Sequence, residues 1–130
     1  MIDIKQELEV AKRASEIAAA LLIDNKDNIN KILSNEGRDV KLKADLESEK
    51  VIKEYLLANS NFPILAEESG ANQDLGNSFW VVDPLDGTSN YSRNFPMCCI
   101  SIALIHENEI TLGVICLLYT SDAADEDLRV

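Results

Sequence analysis

The sequence predicts an α+β fold in which helices pack on a largely antiparallel sheet. Two stretches, Asp3 to about Asp24 and Leu46–Leu57, carry apolar residues at helical spacing. Downstream the pattern changes to short β-favouring runs, among them Ile64-Leu65-Ala66 and Phe79-Trp80-Val81-Val82. Two further runs, Met97–Ile105 and Ile110–Ile115, flank Glu107-Asn108, a pair suited to a tight hairpin turn.

The first helix is expected to face the core through Ile4, Leu8, Ala11, Ala14 or Ala18, Leu21 and Leu22, with Lys5, Glu7, Lys12 and Glu16 on its other faces. That polar face is not basic, so an interfacial membrane helix fits poorly. Asp24–Asn35 is rich in Asn and Asp. It lacks the central Gly and closing Glu of a calcium loop, and reads as a solvated connection with a short turn around Ile29–Leu33. Gly37 marks a loop, and Val40 and Leu42 a brief extended piece.

Asp45 is placed to cap the second helix, whose buried stripe is expected at Val51, Ile52, Tyr55 and Leu56. Glu47, Glu49, Lys50, Lys53 and Glu54 read as its solvated face. Asn59–Pro63 is a turn. The strand Ile64–Ala66 then ends at Glu67-Glu68, and alternation puts one of these carboxylates on each face. Gly70–Ser78 is a polar loop that returns the chain for the next strand.

That strand, Phe79–Val82, runs into Asp83-Pro-Leu-Asp-Gly-Thr-Ser-Asn-Tyr91. Pro84 has no N–H for a ladder, and Gly87 tolerates backbone angles other residues avoid. Asp83 and Asp86 on a stiff turn can converge on one hard cation, with the Leu85 carbonyl between them as a further oxygen. Thr88-Ser-Asn reads as the first turn of a short helix whose N–H groups face an anion. Arg93 reads as a counter-charge near this turn. Met97–Ile105 is apolar on both faces, as a central strand of a covered sheet would be. His106, the only histidine, reads as solvated and is assigned no role.

Composition bounds the rest. Hydrophobic residues at 46% and charged residues at 27% exclude a disordered chain, and 130 residues suffice for one small domain. A net charge of −11 argues against nucleic-acid partners and anionic membranes. No apolar run reaches spanning length, and the N-terminus is charged and amphipathic, unlike a signal peptide. Cys98 and Cys99 are adjacent and poorly placed to bridge each other, so a reducing, cytoplasmic setting is expected.

An isolated Asp-x-x-Asp is ordinarily a surface pair. The full string Asp83–Tyr91, with Glu67-Glu68-Ser69 before it and Asn94-Phe95-Pro96 after it, resembles the inositol monophosphatase family of magnesium-dependent phosphomonoesterases. The resemblance implies that family's layered architecture, of which this chain covers roughly the N-terminal half. It implies Glu67, Asp83, the Leu85 carbonyl and Asp86 as ligands of one or two Mg²⁺ ions, oxygen donors that suit Mg²⁺ and not zinc. It implies that Asp45 pairs with Thr88, which orients the attacking water, and that Gly87 and Thr88 receive phosphate oxygens. Glu67, Leu85, Asp86, Gly87 and Thr88 are then the substrate-facing residues. Glu68 is left as a supporting or surface residue.

The resemblance also places a further aspartate ligand and the specificity residues in a C-terminal half beyond this chain, so the chain itself is expected to be inactive. The parent is expected to hydrolyse a small phosphate ester of the inositol monophosphate type, and the resemblance implies a homodimer, the state often found in the family. A bisphosphate nucleotidase of the 3′-phosphoadenosine type or a fructose-1,6-bisphosphatase is the alternative within the class. An acidic cation-binding scaffold is the alternative outside it. Cys116–Glu126 coincides with the translation of a common transposase sequencing-library adapter, and Arg129-Val130 fits its resumption. Residues 1–115 are therefore expected to be the truncated domain and 116–130 a non-native tail, whose removal leaves the chain acidic.

Overall fold

The computed structural model describes residues 2–24, 32–36, 39–93, 98–118 and 128–129. The turn expected near Ile29, the Gly37 loop, the Asn94-Phe95-Pro96 segment and most of the expected tail lie outside them. Helix α1 spans Ile4–Asp24, strands β1 and β2 span Ile32–Glu36 and Asp39–Leu42, and α2 spans Lys43–Asn59. Strands β3 (Ile64–Ala66), β4 (Gly70–Ala71) and β5 (Phe79–Asp86) follow, then the short helix α3 (Thr88–Ser92). Strands β6 (Cys99–His106), β7 (Glu109–Leu117) and β8 (Leu128–Arg129) complete the order.

The expected α+β architecture is present. A six-stranded sheet has the order β4-β3-β5-β6-β7-β8, and β1-β2 form a separate hairpin. Every pairing in the main sheet is antiparallel except β3 with β5, which run parallel with Ile64, Leu65 and Ala66 opposite Trp80, Val81 and Val82. That parallel register brings the ends of β3 and β5 to the same edge of the sheet, side by side. Ala66 stands opposite Val82, so the next residues, Glu67 after β3 and Asp83 within β5, come side by side. The turn between β6 and β7 is Glu107-Asn108 as expected, with φ of 52° and 66°, the left-handed pair that a two-residue hairpin requires.

One face of the sheet carries the core. Trp80, Val82, Ile100, Ile102, Leu104, Leu112, Val114 and Cys116 are buried. Helix α1 packs on β6 and β7, α2 packs on β5, and the two helices pack on each other. The small residues Ala11, Ala14, Ser15, Ala18 and Ala19 make up most of the buried stripe of α1 and permit that close approach. Ile4, expected in this stripe, is half exposed because the helix begins there and has not yet reached the sheet. The opposite sheet face is only half buried at Val81, Ser101, Ala103 and Ile105, so β6 is covered on one side and not on both.

Strand β7 continues past Ile115 to Leu117, with Cys116 and Leu118 buried. No helix among the described residues is long and apolar enough to cross a membrane.

Tyr91 fastens the functional turn to this core. It is fully buried, and its hydroxyl donates to the Leu22 carbonyl in the last turn of α1 at 2.6 Å. Such C-terminal carbonyls have no partner within the helix. Tyr91→Phe leaves that carbonyl unsatisfied, and the expected cost is about 1–2 kcal/mol. Urea denaturation checks it: the midpoint should fall at unchanged slope.

Candidate active site

The site is built where β3 and β5 end. Glu67 leads the turn after β3, and its N–H donates to the Val82 carbonyl at 3.3 Å. Strand β5 does not stop at Val82 as the sequence suggested. It runs on to Asp86, but its register with β6 breaks between Asp83 and Asp86, where Pro84 falls. Such a break re-aims side chains at a strand end. Gly87 follows with φ of 88°, which reverses the chain into α3 and which a side chain would resist.

Glu67 and Asp83 are brought together. The Glu67 carboxyl is pushed up to about 7 by partial burial, by a hydrogen bond to Asp83, and by the charges of Asp83, Glu68 and Asp45. That hydrogen bond runs from the protonated Glu67 carboxyl to Asp83 and favours the protonated form of Glu67. Asp83 also accepts the Leu85 N–H at 3.3 Å, a short-range bond that stiffens the turn.

Asp86 has different surroundings. It is exposed, its carboxylate lies 3.9 Å from the Cys99 Sγ, and it is not among the charges acting on Glu67. The Cys99 thiol is pushed up by burial, then by the charges of Asp86 and Asp83, so both carboxylates lie around that one side chain. Among the described residues, no three acidic, histidine or cysteine side chains form a group able to hold a metal. The structure therefore gathers two of the three expected carboxylates.

The pairing of Asp45 with Thr88 is present. Thr88 Oγ1 donates to Asp45 Oδ1 at 2.9 Å and lies 3.1 Å from the Leu85 carbonyl. Asp45 is not the cap of α2. The helix starts at Lys43, which puts Asp45 inside the first turn, where it is buried and favoured by the helix dipole. Arg93 is exposed, and its N–H closes α3 on the Asn90 carbonyl. His106 is half buried rather than solvated, with Nδ1 2.9 Å from Ser78 Oγ, at the opposite end of β5.

Two site residues were missed by pattern. Glu49, read as solvated, is buried, and its Oε1 accepts the Glu68 N–H at 2.8 Å. Ser48 is fully buried and donates to the Pro84 carbonyl at 2.7 Å. The signal was available: positions 45, 48, 49, 52 and 56 form one continuous helical stripe, and Ile52 and Leu56 lie in the core.

The residues fit a divalent cation on the chemistry of the donors. Two carboxylates from different strands are held together without a neighbouring cationic side chain among the causes acting on Glu67, and a shared proton supplies the neutralising charge. A hard cation can take that proton's place.

The sequence matches the Inositol monophosphatase family over residues 3–124. It is 35% identical over 117 residues to the inositol-1-monophosphatase of Synechocystis sp., an alignment covering 87% of this chain and 40% of that protein. It is likewise 35% identical over 124 residues to the fructose-1,6-bisphosphatase/inositol-1-monophosphatase of Aquifex aeolicus, covering 92% and 46%. Among solved structures, the extragenic suppressor protein suhB of Bartonella henselae superposes with a TM-score of 0.74 at 30% identity, covering 83% of this chain and 43% of that one. The chain thus spans less than half the length of these relatives.

Proposed function

As the chain belongs to the inositol monophosphatase family, a phosphatase family, we propose that it supplies the phosphate-handling part of a magnesium-dependent phosphomonoesterase site. The substrate class is a small ester of the inositol monophosphate type. The Aquifex relative's name keeps fructose-1,6-bisphosphate within that class. The observation that carries the proposal is the constellation at one sheet edge: two hydrogen-bonded carboxylates on neighbouring strand ends, beside a threonine hydroxyl held by a buried aspartate.

Glu67, Asp83 and the Leu85 carbonyl would hold the ion, with Asp86 recruited once positive charge is present. When bound, Mg²⁺ offsets the charge of the phosphate and makes a water more acidic. The remaining work falls to this chain's own groups. Thr88 spends its hydroxyl proton on Asp45, so it presents lone pairs to a water, accepts that water's proton in a hydrogen bond and so aims its oxygen. Backbone N–H groups of Gly87 and Thr88 are proposed to receive phosphate oxygens where α3 begins. Hydrolysis is proposed for the whole protein, whose remaining part would add a further ligand and the specificity residues. A cytoplasmic setting belongs to the same proposal. A homodimeric parent remains part of the proposal.

Isothermal titration tests this reading. Inorganic phosphate should bind only in the presence of Mg²⁺; cation binding with no phosphate dependence would instead mark an acidic scaffold. A pH dependence follows from Glu67. Its carboxyl holds a proton up to about 7, and binding must displace that proton. Mg²⁺ affinity should weaken as pH falls below that value, approaching about tenfold per pH unit. Proton release measured in buffers of different ionisation enthalpy checks it, and pH-independent affinity between about pH 8 and about pH 5.5 would contradict it.

A further inference from the structure

We propose that Glu49 and Ser48 are positioning residues of the acidic site, holding the Glu67 and Asp83 turns at a fixed separation; the inference rests on the metal-site reading above. The two carboxyls come from different strands, and a metal site needs their separation fixed before the ion arrives, so something must hold both turns in place. The sheet does not do this alone. Glu67 lies beyond the last residue of β3, and Asp83 stands at the start of the register break in β5.

Helix α2 supplies the restraint. Glu49 is 5% exposed, a burial an acidic side chain rarely tolerates without a partner, and its partner is the backbone N–H of Glu68. Ser48 is fully buried, and its partner is the carbonyl of Pro84, inside the irregular stretch that follows Asp83. One turn further on, Lys53 Nζ lies 2.8 Å from Ser69 Oγ, a second tie to the turn after β3. Residues 45, 48 and 49 share a face of the helix. A single rigid element thus grips the Thr88 hydroxyl, the Pro84 carbonyl and the Glu68 amide. Neither Glu49 nor Ser48 is offered as a ligand. Glu49 spends an oxygen on the backbone and is not among the charges that act on Glu67.

The test is Mg²⁺ affinity by isothermal titration on the 130-residue chain, with melting followed by circular dichroism. Glu49→Ala and Ser48→Ala should each weaken Mg²⁺ binding by about tenfold or more, the range that partners behind a metal ligand typically command. Glu49→Gln keeps an acceptor oxygen for the Glu68 N–H and should restore affinity to within roughly threefold of the parent. Ser15→Ala removes another fully buried serine hydroxyl, bonded to the Lys12 carbonyl in α1. It should lower melting without changing affinity, which separates positioning from general stability.

If Glu49→Gln binds as weakly as Glu49→Ala, charge rather than placement is responsible and the inference is overturned. It is equally overturned if folded Ser48→Ala and Glu49→Ala bind like the parent. Should Glu49→Ala not fold, Ser48→Ala decides. If the parent chain itself binds no Mg²⁺, the metal-site reading fails first and this inference with it.

Discussion

Asp83→Asn is expected to lower Mg²⁺ affinity by roughly a hundredfold or more, above the range that partners behind the ligands command, while the cation-free protein stays folded. The substitution removes a charged donor from the pair of carboxyls that meet where β3 ends beside β5, and amide oxygen is a poor replacement. The fold has little to lose. Asp83 is half exposed, and the Asn oxygen can still accept the Leu85 N–H. The Thr88–Asp45 bond is made by other residues and should persist.

Stability should even respond in the opposite sense to binding. In the parent, Glu67 is raised from about 4.5 to about 7 in the folded state. The unfolded chain therefore releases that proton first as pH rises. This group's contribution is fully present below about 4.5 and is lost as pH rises through about 7. Asp83→Asn removes the hydrogen bond and the charge that, after burial, raise Glu67, so less stability is lost over that window. Thermal melts of parent and variant at about pH 5 and about pH 8, without cation, should show a smaller loss in the variant. Screening by water keeps the effect modest, since Glu67 is exposed. A variant that binds Mg²⁺ like its parent would remove Asp83 from the metal site and leave the turn as structure alone.

How far the sequence could be read depends on what kind of partner each residue has. Local partners leave a local trace. The hairpin at Glu107-Asn108, the reversal at Gly87 and the extent of α1 follow from neighbours within a few positions, and each stands where the pattern put it. The Asp45–Thr88 bond spans 43 positions and left no such trace; it was legible only because the whole motif resembles a family. Ser48 and Glu49 show the limit. Their partners are backbone atoms, which have no residue type to recognise, on turns 36 and 19 positions away. A glutamate flanked by lysine and serine on a helix reads as solvated because water is its cheapest environment until a buried N–H is supplied. Only its place on the stripe that continues to Ile52 and Leu56 argued otherwise. Strand β5 ran past its expected end for a related reason. Proline excludes a ladder donor but not a strand that breaks register to accommodate it.

Trp80→Ala is expected to unfold much of the population near physiological temperature. Trp80 is the largest fully buried side chain, and it stands in the middle of the sheet, opposite Ile64 on β3 and Leu104 on β6. Truncating a buried aromatic costs about 3–5 kcal/mol through lost transfer energy and the cavity left behind. A small domain has only about 5–15 kcal/mol in total. The indole adds a polar link. Its Nε1 donates to Ser60 Oγ at 3.0 Å, and Ser60 Oγ donates in turn to the Glu7 carboxylate at 3.1 Å, joining β5 to α1 through the turn after α2. Trp80→Phe keeps most of the volume and loses only that donor, at about 1–2 kcal/mol. Urea denaturation should therefore rank parent, Trp80→Phe and Trp80→Ala in that order. A midpoint for Trp80→Ala close to that of Trp80→Phe would mean the cavity closes and that the core does not depend on this ring. The comparison with Asp83 is the useful one. Both residues lie on β5, three positions apart, on opposite faces of the strand. Loss of the ring should abolish Mg²⁺ binding only in the proportion that the chain unfolds, whereas loss of the carboxylate should abolish it in a chain that is still folded.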